Sequence, residues 1–169
     1  INITFGEVEL LNMGNSLKEA YLSAAEKYFP FEKTDGKWDI KKPCEKFWQH
    51  LESYIQKLDK LGIQCDLILF HPYDKWGFSN LTREEALLYL DYVVKRLSPL
   101  PNIWWSLANE YDLMAYNQSD WECFAEFIHN KDSYGHLLSN HQMIHPWDFS
   151  NPYTTHICLQ TNQLEELSV

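Results

Sequence analysis

The sequence predicts an α/β protein, more specifically an incomplete (β/α)8 TIM barrel that contains roughly strands two or three to six with their helices. After residue 30, short apolar segments alternate with longer segments of helical periodicity, which is typical of βαβ units and a parallel sheet. Polar and aromatic residues follow successive strand candidates, where a barrel places its functional groups. The chain has only six Gly and no G-x-G-x-x-G motif, which argues against a doubly wound dinucleotide-binding sheet.

The alternating part of the chain begins with a helix, and a strand follows it. Residues 1–30 are poorly assigned, although Ile3–Leu11 has the character of a strand and Leu17–Tyr28 that of a helix. Residues 44–61 lie between Pro43 and Gly62 and predict a helix. Its apolar stripe contains Phe47, Leu51, Tyr54, Leu58 and Leu61. The apolar run Gln64–Phe70 then predicts a strand buried on both faces.

The same order repeats further along the chain. Thr82 and Glu85 fit a capping box at the start of a helix that ends before Pro99. Its apolar face contains Leu87, Leu90, Val94 and Leu97. Ile103–Ala108 is the next strand candidate, and a helix through Trp121, Phe124, Phe127 and Ile128 follows it. Two weaker strand candidates, His136–Asn140 and Thr155–Gln160, complete the series.

The length of the chain limits how much of a barrel it can contain. Its 169 residues correspond to one domain, whereas a complete (β/α)8 barrel takes about 250 residues. We therefore expect residues 1–169 to form a single partial barrel that lacks the first strand and strands seven and eight. A partial barrel has two open sheet edges, so the sequence also predicts a homodimer formed through those edges.

Charge and composition argue against several classes of protein. The net charge of −10 disfavours binding to nucleic acid or anionic lipid. The longest aliphatic run, Leu67–Phe70, is too short to span a membrane. No signal peptide opens the chain, which favours a cytoplasmic location. The four Cys form no C-x-x-C pair, and Pro146 argues against a helix that would join His141 and His145 in a metal site. We expect neither a cofactor nor a metal.

The candidate site residues follow the strand candidates. His71, Tyr73, Asp74 and Trp76 follow the candidate strand Gln64–Phe70, and Asn109, Glu110 and Asp112 follow Ile103–Ala108. His141 and Gln142 follow His136–Asn140, and Gln160 ends Thr155–Gln160. Tyr and Trp faces can stack on sugar rings, and the polar groups can hydrogen-bond hydroxyls. Other roles remain open, because Trp76 can pack within its loop, Glu110 can cap a helix or pair with a Lys, and Asp112 can either orient the loop or bind sugar.

A series of motifs resembles one family of barrel glycosidases. The motifs are Trp38-Asp39, Leu67-Ile68-Leu69-Phe70-His71-Pro72-Tyr73-Asp74, Trp76-Gly77-Phe78, Ala108-Asn109-Glu110-Tyr111-Asp112 and Asp148-Phe149-Ser150-Asn151-Pro152. In this order they are similar to the apiosidase-like glycoside hydrolases, and the resemblance covers roughly residues 29–160. It implies a retaining glycosidase in which Glu110 is the general acid/base and Asn109 hydrogen-bonds the 2-hydroxyl of the sugar.

The second catalytic carboxylate of that family has no counterpart in the sequence. A retaining enzyme needs a nucleophilic carboxylate about 5–5.5 Å from the acid/base, and the resemblance places it after strand seven. If Glu110 ends strand four, Gln160 ends strand six, and Glu165 and Glu166 fall in a predicted helix start. We therefore predict a glycosidase fragment, acting on carbohydrate, with little or no activity by itself. The alternatives are a non-catalytic carbohydrate-binding barrel fragment and an α/β interaction domain with a coincidental Asn-Glu.

Overall fold

The protein is an α/β arrangement of parallel strands and helices. The computed structural model describes residues 2–4, 29–73 and 77–160. The strands are β1 (Asn2–Thr4), β2 (Phe31–Thr34), β3 (Lys37–Pro43), β4 (Cys65–Phe70), β5 (Ile103–Ala108) and β6 (Leu138–Ser139). The helices are α1 (Glu45–Lys60), α2 (Arg83–Leu97) and α3 (Gln118–Lys131), with short 3-10 helices at Phe78–Asn80 and Tyr111–Leu113. Strands β1, β4, β5 and β6 form one parallel sheet in that order.

Local sequence signals predicted most of these elements. Helix α1 ends before Gly62, which has a φ of 70° and donates its N–H to the carbonyl of Asp59, as a glycine after a helix does. Helix α2 has the predicted capping box between Thr82 and Glu85. Strand β5 has the predicted bounds. In these segments the local preferences and the packing agree.

The antiparallel hairpin of β2 and β3 is a structural feature that the alternating pattern did not predict. Its turn is Asp35-Gly36, and both residues have positive φ values, 51° and 78°. Such a turn matches the twist of a two-stranded hairpin, and Asp-Gly is one of its preferred sequences. The dipeptide was therefore the signal from which the hairpin could have been found.

The buried face of α1 differs from the predicted stripe. Leu51 is buried and Phe47 and Leu58 pack against the core, as predicted, but Tyr54 and Leu61 are exposed. Trp48 and Ile55, which were not in the predicted stripe, are buried. The hairpin accounts for the burial of Trp48, which packs edge-on against Phe31 and donates its indole N–H to the carbonyl of Pro30 over 2.7 Å. A prediction from the helix alone cannot include a partner that comes from an unpredicted hairpin.

The two weaker strands are shorter than predicted. Of His136–Asn140, only Leu138 and Ser139 form a strand, and the prediction of a strand at Thr155–Gln160 is wrong except for a single bridge between His141 and Cys158. The side chain of Thr155 contributes to this difference. Its Oγ1 accepts the N–H of Leu138 over 2.8 Å, so a hydroxyl takes the position that a main-chain carbonyl would occupy in a continuous ladder.

The two faces of the parallel sheet differ in character. Leu67 and Trp105 are register partners that belong to the apolar core shared with helices α1, α2 and α3. The alternate positions face the other way, and there Asp66 pairs with Trp104 and Ser106 pairs with Ser139. One face is therefore covered by helices, and the other carries polar groups.

Asp132 ties the end of α3 to the sheet. Its carboxylate accepts the indole N–H of Trp105 over 2.9 Å and the backbone N–H groups of Tyr134 and His136 over 3.0 and 2.9 Å. Burial acts to raise the pKa of Asp132, but these hydrogen bonds outweigh it and lower the pKa. The ionised carboxylate is thus part of the folded structure.

Some sequence predictions fall outside the described residues. They are the helix Leu17–Tyr28, most of the strand Ile3–Leu11, and Glu165 with Glu166. Within the described ranges, none of the helices combines the length and the apolar character needed to cross a membrane.

Candidate active site

The carboxyl ends of β4, β5 and β6 meet at one edge of the sheet. The N–H of Asn109 donates to the carbonyl of Phe70 over 3.0 Å, which joins the ends of β4 and β5. The N–H of His141 donates to the carbonyl of Ala108 over 3.2 Å, which joins the end of β5 to the segment after β6. The residues that follow these strands are therefore neighbours in space.

Glu110 occupies the centre of this edge. It is only 8% exposed and has the left-handed conformation, with φ and ψ of 53° and 56°. This region is uncommon for a residue other than glycine, and strained conformations are concentrated at functional sites. The hydroxyl of Tyr73, two residues beyond His71 in the loop after β4, donates a hydrogen bond to Oε2 of Glu110.

His141 contacts the main chain of Glu110. Its imidazole Nδ1 accepts the N–H of Glu110 over 3.2 Å, and its carbonyl accepts the N–H of Tyr111 over 2.9 Å. Glu110 is thus held by Tyr73 at its side chain and by His141 at its backbone. The structure brings these predicted site residues into direct contact.

Asp112 binds a loop. Its carboxylate accepts the backbone N–H groups of Met143, Ile144 and His145, each over 2.7 Å. Burial acts to raise the pKa of Asp112, but the three N–H donors outweigh it, so the pKa is lowered. Of the two roles open for Asp112, these contacts favour orienting the loop that follows His141.

Gln142 and Gln160 connect the residues after β6 to the segment around Cys158. Gln142 is 4% exposed, and in the amide orientation that satisfies both ends it donates to the carbonyl of Cys158 over 2.9 Å and accepts the N–H of Gln160 over 3.2 Å. The exposed side chain of Gln160 donates to the sulfur of Met143 over 3.1 Å. These contacts hold the segment around Cys158 against the residues after β6.

The remaining candidate residues are His71, Asp74 and Trp76 of the β4 loop and Asn109 at the end of β5. His71 is buried, Asn109 is half-buried, and Asp74 and Trp76 lie outside the described residues. Among the residues that the structure describes, no group of three or more His, Cys, Asp or Glu side chains is arranged to hold a metal ion.

Two residues that were not among the candidate site residues also shape the site. Asn140 is fully buried, and its Oδ1 accepts the N–H of Ala108 over 3.2 Å. The hydroxyl of Tyr111 donates to the carbonyl of His145 over 3.0 Å, and its ring packs edge-on against Trp147. Their signals were a polar residue directly before His141 and an aromatic residue directly after the Asn-Glu pair.

The parallel sheet and its helices form an α/β domain that resembles glycoside hydrolases, and a buried glutamate lies at the strand ends. Solved structures agree with this class. One is the 1.80 Å structure of a "putative glycoside hydrolase" from Bacteroides vulgatus ATCC 8482. It has a TM-score of 0.75 and 38% sequence identity, and the match covers 79% of this chain and 29% of that chain. This chain therefore spans less than a third of that relative's length.

Two more distant structures support the fold alone. A glycoside hydrolase family 5 protein from Bacteroides vulgatus ATCC 8482 has a TM-score of 0.53 and 20% identity over 64% of this chain and 24% of its own. Another glycoside hydrolase has a TM-score of 0.59 and 18% identity over 94% of this chain and 41% of its own. No curated protein matches this chain.

The family is shown by a match along nearly the whole chain. The apiosidase-like catalytic domain matches residues 8–167. The chain belongs to the apiosidase-like catalytic domain family, which confirms the resemblance inferred from the ordered motifs.

Proposed function

We propose that this domain supplies the general acid/base of a retaining glycoside hydrolase that acts on a carbohydrate substrate, and that Glu110 is that residue. The observation that carries the proposal is the placement of Glu110 at the carboxyl end of β5, where it is only 8% exposed and its carboxyl is held by Tyr73. Such a carboxyl group can protonate the leaving-group oxygen and then deprotonate the attacking water.

The hydrogen bond from Tyr73 assigns different roles to the two oxygens of Glu110. Oε2 accepts the phenolic hydrogen, so in the acid form the proton is carried by Oε1. The glycosidic oxygen would then approach Oε1, and the same oxygen would receive the proton of water in the second step. Tyr73 thereby orients the proton donor without taking part in the transfer itself.

The remaining substrate-binding roles are part of the same proposal. Asn109 would hydrogen-bond the 2-hydroxyl of the sugar, as the family resemblance implies, and His71, Asp74 and Trp76 would contact the ring from the β4 loop. Asp112, Gln142 and Gln160 would act indirectly, by holding the loops that surround the sugar, because their polar groups are engaged by other parts of the chain.

The nucleophile of the retaining mechanism would lie outside the described residues. The carboxylate nearest to Glu110 in the sequence is that of Asp112, and three backbone N–H groups already bind it. A carboxylate stabilised in this way is a weak nucleophile. We therefore expect this chain to show little or no turnover by itself.

The proposed site belongs to a (β/α)8 barrel. The parallel order β1-β4-β5-β6 and the helices between the strands support this interpretation. In a barrel, the polar face that carries Asp66, Trp104, Ser106 and Ser139 would point to the interior, and Glu110 would lie at the end where barrel active sites are found.

A substitution at Glu110 tests the proposal in the product of the complete reading frame that includes these residues. Glu110→Gln should lower kcat by about 10²–10⁴-fold on oligosaccharides, because the leaving alkoxide must be protonated. The loss should be much smaller on dinitrophenyl glycosides, since that leaving group departs without protonation.

The matched control is Glu122→Gln, on the exposed surface of α3, and it should leave both rates unchanged. Equal rates for wild type and Glu110→Gln on oligosaccharides would contradict the role of Glu110. Binding of oligosaccharides by the wild-type protein without hydrolysis would instead support the alternative, a non-catalytic carbohydrate-binding domain.

A further inference from the structure

His141 forms hydrogen bonds with the main chain of Glu110 and of residues on both sides of it, Ala108 and Tyr111. Its N–H donates to the carbonyl of Ala108, its carbonyl accepts the N–H of Tyr111, and its Nδ1 accepts the N–H of Glu110 over 3.2 Å. The first two bonds are made by the backbone of His141 and would survive most substitutions. The third depends on the imidazole.

The conformation of Glu110 needs such support. A left-handed backbone is unfavourable for an L-amino acid, because Cβ crowds the following carbonyl oxygen, and Glu110 adopts it with a φ of 53°. Strained residues keep their conformation only where neighbouring contacts impose it. The imidazole provides the acceptor for the peptide N–H of the strained residue itself.

This hydrogen bond requires one protonation state of the imidazole. Nδ1 can accept an N–H only through its lone pair, so a neutral His141 carries its proton on Nε2. An imidazolium has N–H groups at both positions and cannot accept. Protonation of His141 therefore removes the contact with Glu110.

Titratable groups surround His141 on several elements. Glu110 faces it from the end of β5, with Tyr73 bound to Glu110, and Cys158 is its partner in the isolated bridge. Asp66 of β4 interacts with both His141 and His156. Burial raises the pKa of Asp66, and either imidazole offsets part of that rise when it is protonated.

We propose that His141 is a positioning residue that holds Glu110 in its left-handed conformation through Nδ1, and only while Nδ1 is unprotonated. The inference deepens the proposed function, because it makes the geometry of the acid/base depend on a second titrating group. It assigns His141 a role different from direct contact with the sugar.

Three variants separate the imidazole acceptor from its titration. His141→Asn offers an acceptor oxygen near the position of Nδ1 and does not titrate, His141→Gln moves the acceptor outward, and His141→Ala has none. The matched control is His129→Asn, at an exposed position on α3. If the contact matters, the order of retained function is His141→Asn, then His141→Gln, then His141→Ala.

The first measurement is an NMR titration of this chain, and it does not depend on catalysis. The amide resonance of Glu110 should shift along the same curve as the imidazole of His141. Its protection from hydrogen exchange should fall between about twofold and tenfold on protonation, the range of one hydrogen bond. In His141→Asn the shift and the protection should no longer follow that curve.

An amide resonance of Glu110 that stays constant while His141 titrates would overturn the proposal, whether or not the protein is a glycosidase. The second measurement uses the product of the complete reading frame. His141→Ala should lower kcat at nearly constant KM, and His141→Asn should restore most of it and remove the decline that His141 protonation causes. A raised KM at constant kcat would overturn the proposal and make His141 a substrate ligand.

Discussion

The hydroxyl of Tyr73 donates a hydrogen bond to Oε2 of Glu110, although the two residues follow different strands and lie 37 positions apart. The contact forms because β4 and β5 are parallel and end at the same edge of the sheet. It connects the loop after β4 directly to the proposed acid/base.

Removing this hydroxyl should impair catalysis more than stability. Tyr73→Phe should lower kcat/KM of the product of the complete reading frame about tenfold, because the carboxyl group of Glu110 loses its orienting donor. The measurement is steady-state kinetics on an oligosaccharide. Tyr134→Phe, at an exposed tyrosine far along the chain, is the control, and equal losses in the two variants would contradict the role of Tyr73.

The backbone conformation of Glu110 can be tested by comparing two truncations. Glu110→Gly should be more stable than Glu110→Ala by about 1 kcal/mol, because both lack the side chain and only glycine adopts a positive φ without strain. Chemical denaturation of this chain gives the difference. The control pair is Glu122→Gly and Glu122→Ala within α3, where alanine should be the more stable by a similar amount. If alanine were more stable than glycine at both positions, residue 110 would be unstrained.

Asp112 should stabilise the protein in a manner that depends on pH. Its pKa is lowered in the folded state, so its contribution is complete above the unfolded pKa of about 3.9 and is lost as the pH falls through the folded pKa. Asp112→Asn should cost about 1 kcal/mol at neutral pH, and the difference from wild type should shrink below about pH 4.

Denaturation curves between neutral and acidic pH measure this effect of Asp112. Asp59→Asn, at an exposed aspartate near the end of α1, controls for the loss of one negative charge. A difference between wild type and Asp112→Asn that stays constant down to strongly acidic pH would mean that the loop contacts do not depend on the ionised carboxylate.

Asp132 should be among the most sensitive polar positions. Asp132→Ala should lower the free energy of unfolding by about 2–4 kcal/mol, because it leaves the buried indole N–H of Trp105 and two backbone N–H groups without their acceptor. Asp148→Ala, at an exposed aspartate, should cost much less. A double-mutant cycle of Trp105→Phe with Asp132→Asn should give a coupling of about 0.5–3 kcal/mol, and additive effects would contradict the assigned hydrogen bond.

Elements with strong local signals could be predicted from the sequence. Strand β5 is an apolar run bounded by turn residues, and α2 begins with a capping box, so neither depends on distant contacts. The burial of Trp48 on α1 could not be predicted, because Trp48 packs on Phe31 of the hairpin. The segment around Cys158 was predicted as a strand, but the side chain of Thr155 interrupts its pairing.

The site shows the same division between local and long-range information. Tyr73, Glu110 and His141 were candidates because each follows a strand candidate, and parallel strands bring such residues to one edge. Their contacts with each other could not be predicted, because these depend on the left-handed backbone of Glu110 and on which imidazole nitrogen accepts its N–H. Both are properties of the assembled edge.

The buried tryptophans give this protein a set of optical reporters at separate places. Trp48, Trp105, Trp121 and Trp147 are almost completely shielded from solvent, so the fluorescence of each should shift to longer wavelength when its own surroundings open. Trp48 reports on α1 and the hairpin, Trp105 on the anchor at Asp132, and Trp147 on the loop beside Tyr111. Chains that each retain one of these indoles could therefore show whether the strand-end loops loosen before the helical layer does.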